Sequence, residues 1–466
     1  MPKKTWENTL TEHVLLKRIP TPPFGDIKDR HVVHYDEYVK TGGYEALRKA
    51  ITMDPSDITE QVKASVLRGR GGAGFPCGLK WSFLPPVEEG PDKGQRYLAI
   101  NADESEPGTF KDRLLMDFDP HLVLEGIAIC MYACRLNRAY IFIRCEYHHQ
   151  AHVLEEAIKE AYDHGIFGEK GLFNQATNKS GDPFVGECHV HRGAGAYICG
   201  EETALLEGIE GKRGWPRIKP PFPAVKGLFG RPTIINNVET LAHVPSIIEH
   251  GPEWFCEQGV ESSIGGPPSF GTKLMGVSGH VNVPGCYEIE LGIPLRKLVE
   301  DFCGGMRNGK KYKGAIPGGV SMGILGPDQY DAELDFDIGR KYNVLGLGTA
   351  GPTVFDEDTD MVAVARNIAR FYKHESCGQC TPCREGSGWL YQLLCRIEEG
   401  DARTKDLDLA LEIATSMGSM PGTTICGLAD GNNWATRTIM NKYRDEFESR
   451  VRPTFVPVGI SIGMNA

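Results

Sequence analysis

Apolar side chains recur every four residues at Ile58, Val62 and Val66 behind the polar pair Ser56-Asp57. That spacing and start signal predict a helix running into the segment Arg68-Gly69-Arg70-Gly71-Gly72-Ala73-Gly74-Phe75-Pro76. Tyr97-Leu98-Ala99-Ile100 is a short unbroken apolar run ending at Asn101, which predicts a buried strand. A helical pattern over 121–136, a strand over 140–143, a helix over 151–162 and a strand over 184–190 follow. Strands alternating with helices predict an α/β domain with a parallel sheet, because a parallel crossover needs a returning helix.

After Glu239 the texture changes. Short strands over 273–277 and 287–289 flank the turn Val283-Pro284-Gly285, and a short helix over 295–302 predicts a small α+β module. Beyond about 353 the pattern is helical again, with Val362, Ile368 and Phe371, then 389–397, 407–417 and 433–448, as in a small helical bundle. The first 50 residues mix charged stretches with Pro20-Thr21-Pro22-Pro23 and read as an extended arm.

At 466 residues the chain suits about three domains of roughly 150 residues each. Lys plus Arg total 51 against 62 Asp plus Glu, a formal charge of −11 that argues against nucleic acid or an anionic membrane as a general contact surface. A local basic site stays open. No apolar run approaches the roughly 20 residues of a membrane span, and the polar start Met1 to Asn8 is no secretory signal. A cytoplasmic protein with no direct membrane insertion is expected.

Fourteen cysteines are many for such a protein unless some hold a metal. Cys377-Gly378-Gln379-Cys380-Thr381-Pro382-Cys383 is C-x2-C-x2-C, and Cys426 stands alone 43 positions later. Three thiolates on one tight loop plus a remote fourth suit the corners of a [4Fe–4S] cube. Structural zinc more often uses two separated C-x2-C pairs, and no second pair is present. Cys395 falls at helical spacing and reads as core.

Gly69, Gly71 and Gly74 satisfy G-x-G-x-x-G, yet the loop follows a helix instead of a strand, so the ordinary dinucleotide fingerprint fails its context. Its glycine density leaves a bare backbone whose N–H groups can approach a phosphate or a flat ring, with Arg70 and Lys80 adding charge, or it is simply a surface turn. Asn101-Ala102-Asp103-Glu104-Ser105-Glu106 follows a predicted strand, where α/β sheets bind ligands; a solvated acidic loop is the alternative. Gly195 to Thr203 and Asn236-Asn237-Val238-Glu239-Thr240 are two further turns of this kind. Four in one domain predict one shared nucleotide site.

Together these motifs resemble the flavin- and NADH-binding subunit of respiratory complex I, a family shared with NAD-linked hydrogenases and formate dehydrogenases. The matching segments are Gly69 to Pro76 with Gly78-Leu79-Lys80-Trp81, Asn101 to Thr109, Gly195 to Thr203, Asn236 to Thr240, and the cysteine loop with Cys426; the likeness covers roughly residues 15–450. It implies an arm at 1–50, a Rossmann-like FMN- and NADH-binding domain at 51–267, a ubiquitin-like β-grasp module at 268–335, a helical [4Fe–4S] domain at 353–450 and a tail at 451–466. Noncovalent FMN is then expected on Gly69, Arg70, Gly71, Gly72, Ala73, Lys80, Asn101, Asp103, Glu104, Tyr197, Glu201, Asn236, Asn237 and Thr240. NADH is expected against Phe75, Phe83 and Phe222, with polar contacts from Glu106, Glu202 and Lys219, and the cluster on Cys377, Cys380, Cys383 and Cys426.

The implied reaction is hydride transfer from nicotinamide C4 to flavin N5, then one-electron transfer to the cluster. No side chain need act as acid or base; Glu104 and Glu202 would position. Acidic side chains would also repel the 2′-phosphate of NADPH. Implied partners are a small [2Fe–2S] thioredoxin-like subunit and a larger iron–sulfur subunit, in the peripheral arm of a membrane-bound complex on its cytoplasmic face. The chain lacks the extra thioredoxin-like or ferredoxin domains common in hydrogenase relatives, which favours complex I over a soluble diaphorase. A structural iron–sulfur scaffold would need no flavin turns. Three departures from the family stand out: Cys77 in the flavin loop, Cys145 for a usual Gly, and the run Gly427 to Asn433 after the fourth cysteine.

Overall fold

The computed structural model describes residue 3 and residues 5–19, 31–87, 94–175, 185–262, 265–419 and 422–452. Pro20 to Pro23 of the expected arm, the first residue of the strand expected over 184–190, and nearly all of the tail at 451–466 lie outside them. The chain forms two compact units, Met1–Thr359 and Asp360–Ala466.

The first unit contains the predicted parallel sheet. Strands β1 (Tyr97–Ala102), β2 (Arg138–Ile143), β3 (Glu187–Arg192) and β4 (Thr233–Asn237) lie in the order β3-β2-β1-β4, every pair parallel. Register sets Ile100 opposite Ile141 and Asn236. β1 is buried at five of six positions, as a strand covered on both faces must be. The covering helix Pro120–Cys134 is buried over all 15 residues and is started by Asp119, whose side chain accepts from the Leu122 N–H. The early helix spans Pro55–Ala64 and starts one residue before Ser56, because Pro55 has the fixed φ and the missing N–H that suit a first helical position.

Two short strands, β5 (Gly259–Val260) and β6 (Ser269–Phe270), pair antiparallel, and a second four-stranded sheet follows. It comprises β7 (Thr272–Gly279), β8 (Gly285–Glu290), β9 (Tyr312–Ile316) and β10 (Thr353–Asp356) in the order β8-β7-β10-β9. Its core holds Met275, Val277, Ile289, Leu291, Leu298 and Val354. The predicted helix over 295–302 is one α-turn, Leu295–Lys297, continued as a π-turn, Leu298–Phe302.

The second unit is helical: Met361–Glu375, Thr381–Glu398, Thr404–Gly418 and Leu428–Lys442, with a short Arg444–Glu448. Asp360 caps the first by accepting from the Val362 and Ala363 N–H groups, an arrangement worth about 1 kcal/mol. Buried Leu390, Leu394, Leu407, Ala410 and Ile439 form the interior. No helix among the described residues is long and apolar enough to cross a membrane.

Candidate functional site

Chain order reverses across β1 and β4, so their carboxyl ends frame the crevice in which open α/β sheets bind ligands. The acidic turn leaves β1 there, and Asn236-Asn237 ends β4. The glycine loop is closed at its base by a bridge between Arg68 and Pro76 and by the Gly69 N–H donating to Phe75 O at 2.9 Å. Gly71 lies against Asn237, where an added Cβ would sit 3.0 Å from Asn237 Cβ, and Gly72 has φ +137°. Side-chain-bearing residues rarely adopt the backbone of Gly72, and a bare Gly71 is what lets the loop approach Asn237 at the end of β4, with Gly71 and Ala73 exposed and Gly72 half-buried.

Arg70 points the other way. Its fully buried guanidinium donates to Phe270 O at 2.7 Å and Arg68 O at 3.2 Å, and its own N–H donates to Thr240 Oγ1 at 2.8 Å. Burial lowers the guanidinium to about 10. Arg70 and Thr240 therefore fix the loop from beneath, leaving its backbone outward. Asn236 is likewise buried, accepting from Trp81 Nε1 at 3.1 Å and donating to Cys77 Sγ at 3.3 Å. Burial pushes the Cys77 thiol up to about 12, so this departure from the family is a small neutral packing residue.

In the acidic turn, Asn101 Oδ1 accepts from the Asp103 N–H at 3.1 Å and its Nδ2 donates to Gly200 O at 2.8 Å, tying this turn to the one before Glu201. Buried Glu104 starts helix Lys111–Phe118 by accepting from the N–H groups of Asp112 and Arg113 at 2.7 and 2.9 Å. Burial, with the charge of Asp112 second, raises its carboxyl to about 7. Half-buried Glu106 accepts from Tyr197 Oη at 2.6 Å and from Ser321 N and Oγ at 2.8 and 2.7 Å; burial raises it, and these bonds oppose the rise. Asn237 donates to Asp112 Oδ2 at 2.7 Å and accepts from Lys111 Nζ at 3.2 Å.

An aromatic and charged rim stands beside these turns. Phe75 and Phe83 are 42% and 52% exposed with ring centroids 6.0 Å apart. Phe222 stands 58% exposed at the start of helix Pro223–Lys226. Lys219 Nζ bridges Glu202 Oε1 at 2.6 Å and Glu201 Oε1 at 3.0 Å, and Lys80 Nζ lies 3.9 Å from Glu202 Oε2. Glu201 also caps helix Glu202–Ile209 through the Thr203 and Ala204 N–H groups.

Several residues here escape sequence reading. Arg144 donates to Glu104 O at 2.6 Å while held by Glu146, and Tyr147 donates to the Glu104 carboxylate. Their signal is position: they follow β2 directly, at the same sheet edge as the acidic turn. Under the turn, fully buried Glu239 takes Lys273 Nζ at 2.5 Å and Lys111 Nζ at 3.0 Å. Burial alone would raise Glu239, and the two ammonium groups hold it down at about 2.

In the helical unit, Cys377, Cys380, Cys383 and Cys426 line one hollow with Ser376, Gln379, Thr424, Ile425 and Leu428. Cys380 and Cys383 sit at the start of helix Thr381–Glu398. The Ile425 N–H donates to Cys380 Sγ at 3.3 Å, and Ser376 Oγ lies 3.3 Å from Cys383 Sγ. Among the described residues no three His, Cys, Asp or Glu groups converge on a single ion position. Four thiols around one hollow offer the kind of donor set that an iron–sulfur cube takes. Cys395 lies farther along the same helix, outside the lining.

Residues 62–246 match the Nuo51 FMN-binding domain, residues 274–325 the SLBB domain, and residues 363–450 the NADH-ubiquinone oxidoreductase-F iron-sulfur binding region. The chain is 46% identical to a mitochondrial NADH dehydrogenase [ubiquinone] flavoprotein 1 of Dictyostelium discoideum, over 92% of this chain and 86% of that one. It is also 46% identical to an NADH-quinone oxidoreductase subunit of Rhizobium meliloti, over 96% of this chain and 99% of that one. Among solved structures, a NAD+-reducing [NiFe]-hydrogenase in the air-oxidized state superposes with a TM-score of 0.76 at 32% identity, covering 92% of this chain and 69% of the hydrogenase chain.

Proposed function

The chain belongs to the family of NADH dehydrogenase flavoproteins, the flavin-binding subunits of NADH-quinone oxidoreductase, and from that membership we propose which of its residues do the work. The protein is an NADH dehydrogenase with FMN and a [4Fe–4S] cluster as cofactors. FMN supplies the conversion of an electron pair taken from NADH into single electrons that the cluster carries onward.

The protein's part is placement. Gly71 to Ala73 offer bare backbone, Lys80 a charge, and Asn101, Asp103 and Asn237 polar groups to the flavin ribityl phosphate, while Arg70, Glu104, Asn236 and Thr240 hold those groups rigidly from behind. Phe75, Phe83 and Phe222 offer faces to the dinucleotide, with Glu106, Glu202 and Lys219 around them. The observation that carries this is the convergence of the glycine loop, the acidic turn and Asn237 at the carboxyl ends of β1 and β4. Cys377, Cys380, Cys383 and Cys426 would hold the cluster.

We place this chain in the peripheral arm, on the cytoplasmic face, beside a [2Fe–2S] subunit and a larger iron–sulfur subunit, with a β-grasp module over about 268–335. An anaerobic absorbance spectrum before and after stoichiometric NADH tests the core of the reading. Flavin bands that bleach are expected; an iron–sulfur shoulder without flavin, unrestored by added FMN, defeats it. The hydrogenase likeness supports a second reading, the diaphorase subunit of a soluble hydrogenase. Isolation of the chain with a membrane-bound quinone-reducing assembly decides between them.

A further inference from the structure

The acidic turn is clasped from outside the FMN-binding segment. Glu106 accepts two hydrogen bonds from Ser321, through N at 2.8 Å and Oγ at 2.7 Å, although the two residues lie 215 positions apart. The clasp is close-fitting: Gly319, two residues before Ser321, has φ +103°, and a Cβ there would collide with Glu106 Cγ. The same strand-to-turn region holds the far end of the acidic turn, where Thr109 Oγ1 meets Thr349 Oγ1 at 2.5 Å and Thr349 in turn donates to Gly318 O at 3.0 Å. Tyr197 Oη, 2.6 Å from the other Glu106 oxygen, completes the set of donors. Ser321 falls within the stretch matching the SLBB domain, well beyond the stretch matching the FMN-binding domain.

We propose that Ser321 is a positioning residue for dinucleotide binding: its N–H and hydroxyl aim the Glu106 carboxylate, so the SLBB module shapes the NADH site without contributing to the flavin site. The proposal rests on the reading of Glu106 as a nucleotide contact. A carboxylate fixed by three donors has one orientation, and a substrate hydrogen bond to it forms without first ordering the side chain. With the Ser321 hydroxyl gone, the carboxylate keeps the backbone N–H but gains a rotational freedom that each binding event must remove.

The test uses the assembled enzyme, with NAD+ equilibrium binding and NADH steady-state kinetics measured in parallel. Ser321→Ala is expected to raise the NADH KM and the NAD+ Kd roughly tenfold, the usual effect of losing a hydrogen bond to a charged group. FMN content and kcat should be unchanged, and Ser321→Thr, which keeps the hydroxyl, should restore both constants. Glu106→Gln separates the two layers. If E106Q weakens NAD+ binding while S321A does not, the Ser321 proposal is overturned and the Glu106 reading stands. If E106Q also binds NAD+ normally, both are overturned. Loss of FMN in S321A would likewise overturn the proposal, since it would assign Ser321 to the flavin cradle.

Discussion

Tyr147 Oη donates to Glu104 Oε2 at 3.0 Å, closing a cage in which the same carboxylate also receives two backbone N–H groups at the head of helix Lys111–Phe118. A residue of the acidic turn thus serves as a helix cap, and its protonation is coupled to folding. Burial, reinforced by Asp112, raises the carboxyl from 4.5 to about 7. The folded chain keeps this proton over a range where the unfolded chain has released it. The group's contribution to stability is therefore greatest below 4.5 and falls as pH climbs toward about 7, by at most about 1.4 kcal/mol per pH unit, then stays level. Glu104→Gln cannot titrate and is expected to flatten that decline; thermal unfolding of E104Q as steeply pH-dependent as wild type between those values would show that another group is responsible.

The turns and the cysteine loop were legible in the sequence because each packs its chemistry into a few consecutive residues. Three thiols within seven positions, or Asn101 to Glu106 after an apolar strand, need no knowledge of distant packing. What could not be read is which side of each motif faces a ligand. Arg70 looks like a phosphate-binding cation in the sequence, yet its guanidinium is fully buried on Phe270 O, and that carbonyl lies 200 positions away. Arg144, Ser321 and Lys273 were missed for the same reason: they act across strand crossovers, and nothing local distinguishes them from surface charges or turn residues. Strands β1 and β2, by contrast, follow the apolar pattern closely, since burial on both faces of a parallel strand leaves a nearly uninterrupted run, whereas β4, β9 and β10 are not among the strands that the pattern predicts.

The cysteine assignment separates four ligands from a neighbour. Replacing Cys377, Cys380, Cys383 or Cys426 singly by Ala should remove the iron–sulfur absorbance and most of the iron, because in the proposed site each would supply one corner of the cube. Cys395→Ala should leave both intact. Iron content by metal analysis reads the result, and full iron in the Cys426 variant would reassign the fourth ligand.

Glu239 and Lys273 form a buried pair at 2.5 Å, with Lys111 on the same carboxylate. Lys273 is fully buried, and desolvation lowers it to about 8 despite Glu239. Lys273→Met leaves Glu239 short of one of its two cations and is expected to cost roughly 3–5 kcal/mol, while pairing it with Glu239→Leu should recover much of the loss by removing the stranded charge as well. Urea unfolding of the single and double variants measures this; equal destabilisation by both would mean that packing, not charge, holds this region.

Half-exposed aromatic rings cost little stability to truncate, so Phe83→Ala is a clean probe of stacking. Its ring is 52% exposed and meets Phe75 with 6.0 Å between centroids. A base stacked on an aromatic face gains about 1–3 kcal/mol, so the NADH KM should rise by about tenfold or more with FMN retained. An unchanged KM would move the dinucleotide away from the Phe75–Phe83 face.

Glu202 tests the preference for NADH over its phosphorylated analogue. Lys219 at 2.6 Å and Lys80 at 3.9 Å sit on its two oxygens, and Lys219 also contacts Glu201. The wild-type rim therefore offers a 2′-phosphate no unpaired cation among these four groups. Glu202→Gln acts twice in the same direction: it removes a negative charge, and it leaves Lys219 paired with Glu201 alone, so that ammonium is less fully neutralised when a phosphate approaches. At partly exposed positions such charge changes are worth about 1 kcal/mol, which corresponds to a roughly fivefold gain in kcat/KM for NADPH at low salt. The gain should shrink as ionic strength rises, since the interaction is screened over about 10 Å at 0.1 M salt. NADPH turnover that stays at the wild-type level in E202Q would place the discrimination elsewhere than in this charge.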